Sequence, residues 1–138
     1  MENVFYMNLD ELSPSQLFLN REKIEFFNKH INPFVLDKIP PISIRKFGDK
    51  TVFLDGHTRA FLAYEHGLTQ VPVYWETEEY DWDLYEICIQ WCLENNIHHI
   101  SDLKTRILER DSFEKMWIGK CQAQEKELEK IQNQNPPK

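Results

Sequence analysis

The chain has 138 residues, which is enough for one compact domain. Hydrophobic residues make up 41% of it and aromatic residues 13%, so a packed core is expected and disorder should be confined to the ends. The formal net charge of −7 disfavours a general affinity for DNA or RNA, because nonspecific binding depends on Lys and Arg that neutralise phosphates.

Hydropathy and cysteine content indicate the compartment. No apolar run of about 18 residues exists, so no membrane partner is expected. The start of the chain, Met1–Val4, lacks the basic and apolar parts of a signal peptide. We therefore expect a cytoplasmic protein in which all three cysteines, Cys88, Cys92 and Cys121, are reduced.

The negative charge lies mainly in the second half of the chain. Residues 1–75 carry eight Lys and Arg against nine Asp and Glu, whereas residues 76–138 carry eight against fourteen. An anion-binding site is therefore better placed in the first half.

The first elements in chain order are a strand, a loop and a helix. Residues 4–9 are rich in β-branched and aromatic side chains and predict a short strand. Residues 11–16 contain a proline and two serines and predict a loop. Asn20 suits the N-cap of a helix from residue 21 to about residue 31, and Asn32-Pro33 would end that helix.

A β-hairpin is predicted next. Residues 42–47 alternate apolar and polar side chains, as expected for a half-buried strand. Residues 48–50 supply the turn, and residues 51–54 return as the partner strand.

A strand–helix–strand pattern follows the hairpin. The chain breaks at Asp55-Gly56 and then predicts a helix over residues 57–66, with Gly67 as its C-terminal stop. Residues 71–75 predict another strand, and Pro72 indicates either an edge position or the first residues of that strand.

The remainder of the chain predicts helices. Asp81 can cap a helix through about residue 95, and Ser101 can cap a short helix through about Leu108. Residues 111–114 have the form of a capping box that opens a long helix. The buried face of that helix would contain Phe113, Trp117 and Cys121.

These patterns predict an α/β fold of the α+β kind. We assign residues 1–78 to an α/β core, residues 79–131 to an all-helical extension packed on that core, and residues 132–138 to a frayed tail.

The backbone between the predicted strand and helix favours an anion. Residues 51–54 run into Gly56 and then directly into the helix, so the free N–H groups of the first turn and the positive end of the helix dipole suit a phosphate. We therefore expect Gly56 and Thr58 to present their N–H groups to an open cavity.

Side chains of the same turn add polar groups. Thr58 can donate its hydroxyl group, and Arg59 can clamp phosphate oxygens with its guanidinium group. Asp55 can ligate Mg²⁺ or act as a base, and His57 is a titratable neighbour. The alternative is an ordinary turn in which Arg59 pairs with a local carboxylate.

Residues 51–67 (TVFLDGHTRAFLAYEHG), followed by Val71-Pro72-Val73, resemble the core of the ParB/sulfiredoxin superfamily. The family pattern is a strand, Gly-x-x-Arg opening an Ala-rich helix, then Gly and an Ile/Val-Pro-Val strand. Residues 12–16 are also similar to the loop that precedes this core in ParB-type proteins, so the resemblance covers roughly residues 4–76. It implies a small mixed sheet with a ParB/sulfiredoxin-like core, followed by the helical extension.

Three branches of this superfamily can be compared at the turn. Sulfiredoxins place a reactive cysteine directly after the glycine, where this chain has His57, so reduction of a peroxiredoxin sulfinate is disfavoured. ParB partition proteins carry Gly-Glu-Arg-Arg, but His57 and Thr58 replace the Glu and the first Arg here. The acidic second half also lacks a basic recognition helix. Free-serine kinases carry Asp-Gly-His-x-Arg, which Asp55, Gly56, His57 and Arg59 match. The whole chain, with its Trp- and Cys-containing helical half, also resembles small uncharacterised bacterial proteins of this superfamily.

The kinase resemblance implies a nucleotide-binding protein that acts as a Mg²⁺-dependent phosphotransferase on a small hydroxyl-bearing metabolite, with ATP or ADP and Mg²⁺ as cofactors. A glutamate of the N-terminal loop serves as the base in that branch. The nearest equivalent here is Gln16, whose amide cannot accept a proton. The alternative is a non-enzymatic nucleotide- or phosphate-binding module that acts through a protein partner.

The roles that follow from this resemblance fall into three groups. Asp55 and His57 would be catalytic, with Asp55 also holding Mg²⁺. The nucleotide phosphates would lie against the turn residues Gly56, His57, Thr58 and Arg59. Ser15 and Gln16 would face the acceptor.

Further candidates have simpler alternatives. Cys88 and Cys92 are four residues apart and could meet a metal with Cys121, but zinc sites need four ligands and core packing is favoured. His98-His99 could bind metal but better fits a solvated loop. Trp75 could stack on a base or simply lie at the rim of the sheet. Four further aromatic residues could form a stacking surface, although helical spacing favours the core: Tyr80, Trp82, Tyr85 and Trp117.

Overall fold

The computed structural model describes residues 3–31 and 35–134, without the side chain of residue 134. The predicted helix stop at Asn32-Pro33 and most of the tail lie outside the described residues. The fold is mixed α/β, with a five-stranded mixed sheet and five α-helices among the described residues.

Seven strands are present among the described residues. They are β1 (Phe5–Asn8), β2 (Leu12–Ser13), β3 (Leu19–Asn20), β4 (Ile42–Phe47), β5 (Lys50–Phe53), β6 (Gln70–Trp75) and β7 (Ile107–Leu108). The main sheet has the order β1-β6-β4-β5-β2, in which β4 and β5 form the predicted antiparallel hairpin. β6 runs antiparallel to β1 and parallel to β4, and β2 runs parallel to β5. β3 and β7 pair separately in parallel.

The helices follow the predicted order. They are α1 (Arg21–His30), α2 (His57–Glu65), α3 (Trp82–Glu94), α4 (Arg110–Phe113) and α5 (Gly119–Gln134). A π-helical turn over Glu114–Ile118 joins α4 to α5, so this part of the chain is continuously helical.

Three predicted helix ends are confirmed. The Asn20 side chain accepts a hydrogen bond from the Glu22 N–H at the start of α1, and the Asp81 side chain accepts one from the Leu84 N–H at the start of α3. Gly67 follows the end of α2 with a φ of 82°, the left-handed conformation that glycine adopts without strain.

The edge position considered for the strand of Pro72 is wrong, because β6 lies inside the sheet between β1 and β4. The Leu9 N–H donates to the Thr69 carbonyl, so the alternation of an antiparallel pair turns the Pro72 nitrogen toward β4. Pairing with β4 begins one residue later, at Ile42 opposite Val73. The missing N–H of proline therefore removes no hydrogen bond from the β4–β6 ladder.

The short helix predicted from Ser101 to Leu108 is also wrong. A 3₁₀-helix over Ile100–Thr105 takes its place, and its N-cap is His99. The Asp102 carboxylate accepts hydrogen bonds from the His98 and His99 N–H groups, which fixes this earlier start. Residues 107–108 then leave the helix because they pair with β3.

The long C-terminal helix begins earlier than the predicted capping box. The Phe113 N–H donates to the Glu109 carbonyl, so Asp111 lies inside α4 and does not cap it. The Glu109 side chain forms an ion pair with Arg21 of α1, at 2.7 Å, which ties the start of α4 to the first half of the chain.

One hydrophobic core joins both halves of the chain. Phe53, Phe61 and Val73 of the sheet and α2 are buried together with Ile100 and Leu103 from the second half. At the other end of the sheet, the Arg45 guanidinium group lies 3.8 Å from the ring centroid of Trp82, which holds the start of α3 against β4. Within the described residues, no helix combines the length and the apolar character needed to cross a membrane.

Candidate functional site

The turn between β5 and α2 has the predicted backbone but a different hydrogen-bond pattern. Gly56 has a φ of 79°, and the Asp55 carboxylate accepts a hydrogen bond from the Gly56 N–H at 2.7 Å. Thr58 is buried, with 3% of its surface exposed. The expectation that the Gly56 N–H faces an open cavity is therefore wrong, because the neighbouring carboxylate already occupies that position.

Arg59 is held by backbone carbonyls. Its Nη1 donates to the carbonyl oxygens of Pro40 at 2.9 Å and Pro41 at 3.1 Å. Burial lowers the pKa of Arg59, and the nearby Asp55 carboxylate opposes that shift. The guanidinium group therefore ties α2 to the segment that enters β4, and among the described residues it forms no ion pair with a carboxylate, unlike in the simpler alternative.

His57 is buried and links α2 to the N-terminal loop. Its Nε2 accepts a hydrogen bond from the Ser15 N–H at 2.9 Å, and only 3% of its surface is exposed. Burial lowers the pKa of His57 to about 4, against the opposing effect of Asp55. At neutral pH the ring is therefore uncharged, with its proton on Nδ1. That Nδ1 has no hydrogen-bond partner among the described residues.

Ser15 lies against the turn, because its N–H donates to His57, whereas Gln16 is bonded within the loop and to α3. The Ser15 hydroxyl donates to the Phe53 carbonyl at 2.6 Å, which joins the loop to the end of β5. The Gln16 amide nitrogen donates to the Phe18 carbonyl at 2.7 Å. The loop is therefore fixed by bonds to β5, to α2 and within itself.

A cavity of about 350 Å³ lies beside this assembly. Ser15, Gln16 and Leu54 form one wall, and side chains of α3 and of the helix that contains Trp117 form the other. The cavity thus lies where the N-terminal loop, the end of β5 and the helical second half meet.

Tyr85 connects the α3 wall of the cavity to the residue that follows β5. Its hydroxyl donates to the Leu54 carbonyl at 3.2 Å. Burial raises the pKa of Tyr85 to about 12, and the Asp55 carboxylate adds to this shift. Asp81 and Glu125 also line the cavity, so its surroundings are acidic.

Sequence reasoning missed the α3 and α5 wall of the cavity. It predicts core or stacking positions for Tyr85 and Trp117 and core positions for Cys88 and Cys121, yet all four line the cavity. Helical spacing identifies the inward face of each helix, but nothing in the pattern indicates that these faces meet the end of β5.

The cysteines and histidines considered as metal ligands do not form a metal site among the described residues. All three cysteines are free thiols. Cys88 and Cys92 are buried as predicted, whereas Cys121 is partly exposed. Cys92 donates to the Gln16 carbonyl at 3.6 Å. Among the described residues, no three His, Cys, Asp or Glu side chains are grouped as a metal site would require. His98 and His99 are exposed, and Trp75 is 45% exposed at the end of β6.

The Asp55 carboxylate could bind a Mg²⁺ ion whose other ligands come from a bound phosphate and water. Asp55 is exposed, and one of its carboxylate oxygens accepts the Gly56 N–H, which leaves the other available. Mg²⁺ is usually bound through one or two carboxylates together with substrate phosphates, and not by a complete protein cage.

A second cavity, of about 500 Å³, is lined by residues of another region, including Asn8, Tyr64, Thr69 and Ser101. None of the predicted site residues lines it. Ser15 and Gln16 line the smaller cavity, although residues 55–59 do not, so the smaller cavity is the candidate functional site.

Comparisons with known proteins provide little beyond this geometry. No family model matches the chain, and no curated protein matches it. Among solved structures, the chain is similar to protein Atu1540 from Agrobacterium tumefaciens, with 12% identity and a TM-score of 0.46. The similarity covers 72% of this chain but spans only 51% of the other one, about half its length.

Proposed function

We propose that this chain has a ParB/sulfiredoxin-like core and binds a nucleotide or a similar phosphorylated small molecule with Mg²⁺ in the cavity beside residues 55–59. The observation that carries the proposal is the hydrogen bond from the Ser15 N–H to His57. It joins the two segments named by the resemblance, residues 12–16 and the turn. Ser15 and Gln16 line the cavity together with Leu54, which directly precedes the turn, whereas residues 55–59 do not line it.

The order of elements supports the core assignment. The β4–β5 hairpin leads through a left-handed Gly56 into α2, and β6 then returns parallel to β4. This order agrees with the strand, Gly-x-x-Arg helix and Val-Pro-Val strand that the resemblance implies, and all three elements contribute to one core.

The size and charge of the cavity limit the ligand. A volume of about 350 Å³ is at the small end of the range for small-molecule sites. Because Asp81 and Glu125 line the cavity and Asp55 acts on Tyr85, bare phosphate would be repelled. Bound Mg²⁺ would neutralise part of the phosphate charge, with Asp55 as its protein ligand.

The residues then have the following roles. His57 acts as a positioning residue, because its neutral ring fixes the Ser15 backbone. Arg59 holds the turn in place through the carbonyls of Pro40 and Pro41. Ser15 and Gln16 line the cavity where an acceptor hydroxyl would lie. A Mg²⁺-dependent phosphotransferase would use Asp55 to orient that hydroxyl.

A specific observation also favours the second candidate, a module that binds a nucleotide without transferring phosphate. The Gly56 N–H and the Arg59 Nη1 are already bonded within the protein. These are groups that stabilise transferring charge in a phosphotransferase, and Gln16 cannot replace a carboxylate base. Such a module would act through a protein partner.

The experiment is a calorimetric titration of the protein with ATP and with ADP, each with and without Mg²⁺. The test variant is Asp55→Asn, which preserves an acceptor for the Gly56 N–H but removes the charge. Asp49→Asn is the matched control, because Asp49 is an exposed carboxylate in the β4–β5 turn, at the opposite end of β5.

We expect Mg²⁺-dependent binding that Asp55→Asn weakens roughly tenfold, as loss of a charged contact does, while Asp49→Asn leaves it unchanged. The proposal fails if the wild-type protein binds neither nucleotide, or if both variants behave alike. Turnover of ATP with added small hydroxyl compounds, lost in Asp55→Asn only, would establish the phosphotransferase. Binding without turnover would establish the module.

A further inference from the structure

Two of the three cysteines lie against one another on the helical wall of the cavity. Cys88 is on α3 and Cys121 is on α5, and both line the cavity. A hydrogen bond between the two thiols is the largest influence on the pKa of each. The side chains are 33 positions apart in sequence, so their contact depends on how α5 packs against α3.

Aromatic packing holds that contact in place. Trp117, one turn before Cys121, packs edge-on against Trp91 of α3 with ring centroids 6.1 Å apart. The Lys120 ammonium group lies 4.2 Å from the centroid of the same Trp91 ring. Both contacts hold the segment just before Cys121 against Trp91 of α3.

The two thiols differ in reactivity. The hydrogen bond from Cys88 lowers the pKa of Cys121, whereas the same bond and burial raise the pKa of Cys88. Cys121 is partly exposed, and Cys88 is 4% exposed. An accessible thiol with a second, buried thiol beside it is the arrangement in which oxidation proceeds to a disulfide.

We propose that Cys88 and Cys121 form a reversible disulfide when the protein meets a peroxide, and that this bond locks α5 to α3 at the cavity. The Cys121 thiolate attacks one oxygen of hydrogen peroxide, the O–O bond breaks, and hydroxide leaves and takes up a proton to form water. The Cys88 sulfur then attacks the Cys121 sulfenic acid, so that the S–S bond forms and the S–OH bond breaks. The thiol proton of Cys88 and the departing hydroxide form a second water.

Oxidation of the two thiols is matched by reduction of the peroxide. The two sulfurs lose two electrons together, and peroxide is reduced to water. A dithiol reductant then reduces the disulfide to the two thiols and is itself oxidised to a disulfide. Because both sulfurs line the cavity, the bond fixes one of its walls, and the proposal does not depend on which ligand the cavity takes.

The experiment treats the full-length protein with hydrogen peroxide, then alkylates the remaining thiols under denaturing, non-reducing conditions and maps the peptides by mass spectrometry. We expect alkylatable thiols to fall from three to one in the monomer, with Cys88 and Cys121 in one linked peptide. Cys92 should remain alkylatable, since burial raises its pKa to about 12. Reduction should restore all three thiols.

Variants test the order of events. Cys92→Ser is the matched control on α3 and should still form the bond. Cys88→Ser should leave a sulfenic acid on Cys121 that a dione probe traps, and Cys121→Ser should leave Cys88 unmodified. A linked peptide that contains Cys92, a bond between two chains, or three unmodified thiols in peroxide-treated wild-type protein would overturn the proposal. These wild-type results apply even if a serine variant does not fold.

Discussion

At Gly56 the backbone leaves β5 and enters α2 with a φ of 79°, and the space above its Cα is already filled. A Cβ atom there would lie 2.9 Å from the Arg59 Nη2 and 2.9 Å from Ile42 Cγ2. Arg59 has a flexible side chain, but Ile42 is fully buried in the core. The position therefore requires glycine both for its conformation and for its packing.

We expect Gly56→Ala to lower the free energy of unfolding by about 1–3 kcal/mol more than Gly67→Ala does. Gly67 is the matched control, since its φ is 82° and a Cβ there would have no neighbour within 4 Å. Its cost, about 1 kcal/mol, is that of the left-handed backbone alone. Urea unfolding of the three proteins measures the difference. Equal losses in the two variants would show that the Gly56 turn can open to admit a side chain.

Residue His57 makes stability depend on pH in a defined direction. In the unfolded chain a histidine gains a proton below about pH 6.5, whereas the pKa of folded His57 is about 4 because the ring is buried. Between these values the unfolded state binds the extra proton, so the free energy of unfolding falls as the pH falls. The contribution is complete above about pH 6.5, and roughly 3 kcal/mol is lost by about pH 4.

The measurement is urea unfolding at several pH values between about 4 and 7, for the wild-type protein, His57→Gln and His98→Gln. The glutamine side chain in His57→Gln keeps an oxygen that can accept the Ser15 N–H but cannot titrate, so this variant should lose most of the slope. His98 is exposed, and His98→Gln should retain it. If the wild-type protein and His57→Gln share one slope, His57 is not the group responsible.

The helices and strands that were predicted correctly are those whose ends are set by interactions between residues close in sequence. Asn20 and Asp81 cap α1 and α3 as expected, because a side-chain acceptor satisfies an N–H two or three residues away. The β4–β5 hairpin and α2 also follow from alternation, helical spacing and the left-handed glycines at 48, 56 and 67. Such features depend on neighbours in sequence, so one sequence is sufficient to find them.

The predictions that were wrong concern elements whose structure depends on residues distant in sequence. Residues 107–108 form a strand because β3 is beside them, and Glu109, whose carbonyl accepts the Phe113 N–H at the start of α4, also pairs with Arg21 of α1. Neither partner lies within the window in which a helix is predicted. The interior place of Pro72 depends likewise on where β4 begins. Tertiary pairing overrides local propensity in each case.

The same division applies to the candidate site. The motif at residues 55–59 and the loop residues Ser15 and Gln16 could be selected from the sequence, and the structure joins Ser15 to His57 and to the end of β5. The hydrogen bonds from Arg59 to Pro40 and Pro41 could not be predicted, because they depend on the path of the chain into β4. The wall formed by α3 and α5 was missed for the same reason.

For the whole molecule, the division at residue 78 separates sequence patterns but not the core. Ile97, Ile100 and Leu103 are at most 2% exposed and pack in the same cluster as Phe61 of α2 and Val71 of β6. β7 also supplies the pairing partner of β3. The second half therefore completes the core of the first half, in addition to providing a wall of the cavity.

Truncation at three points tests whether the second half of the chain is needed to complete the core. A fragment of residues 1–78 lacks the core side chains from residues 97–103, each of which contributes about 1.5–3 kcal/mol on burial. Since a domain of this size is stable by only about 5–15 kcal/mol in total, we expect this fragment not to unfold cooperatively. Residues 1–111 keep those side chains and β7 but lose Trp117, so this fragment should fold with reduced stability. Residues 1–131, the control, should match the full chain. Near-ultraviolet circular dichroism and urea unfolding distinguish these outcomes, and a cooperative transition for residues 1–78 would mean that the α/β core folds without the helical half.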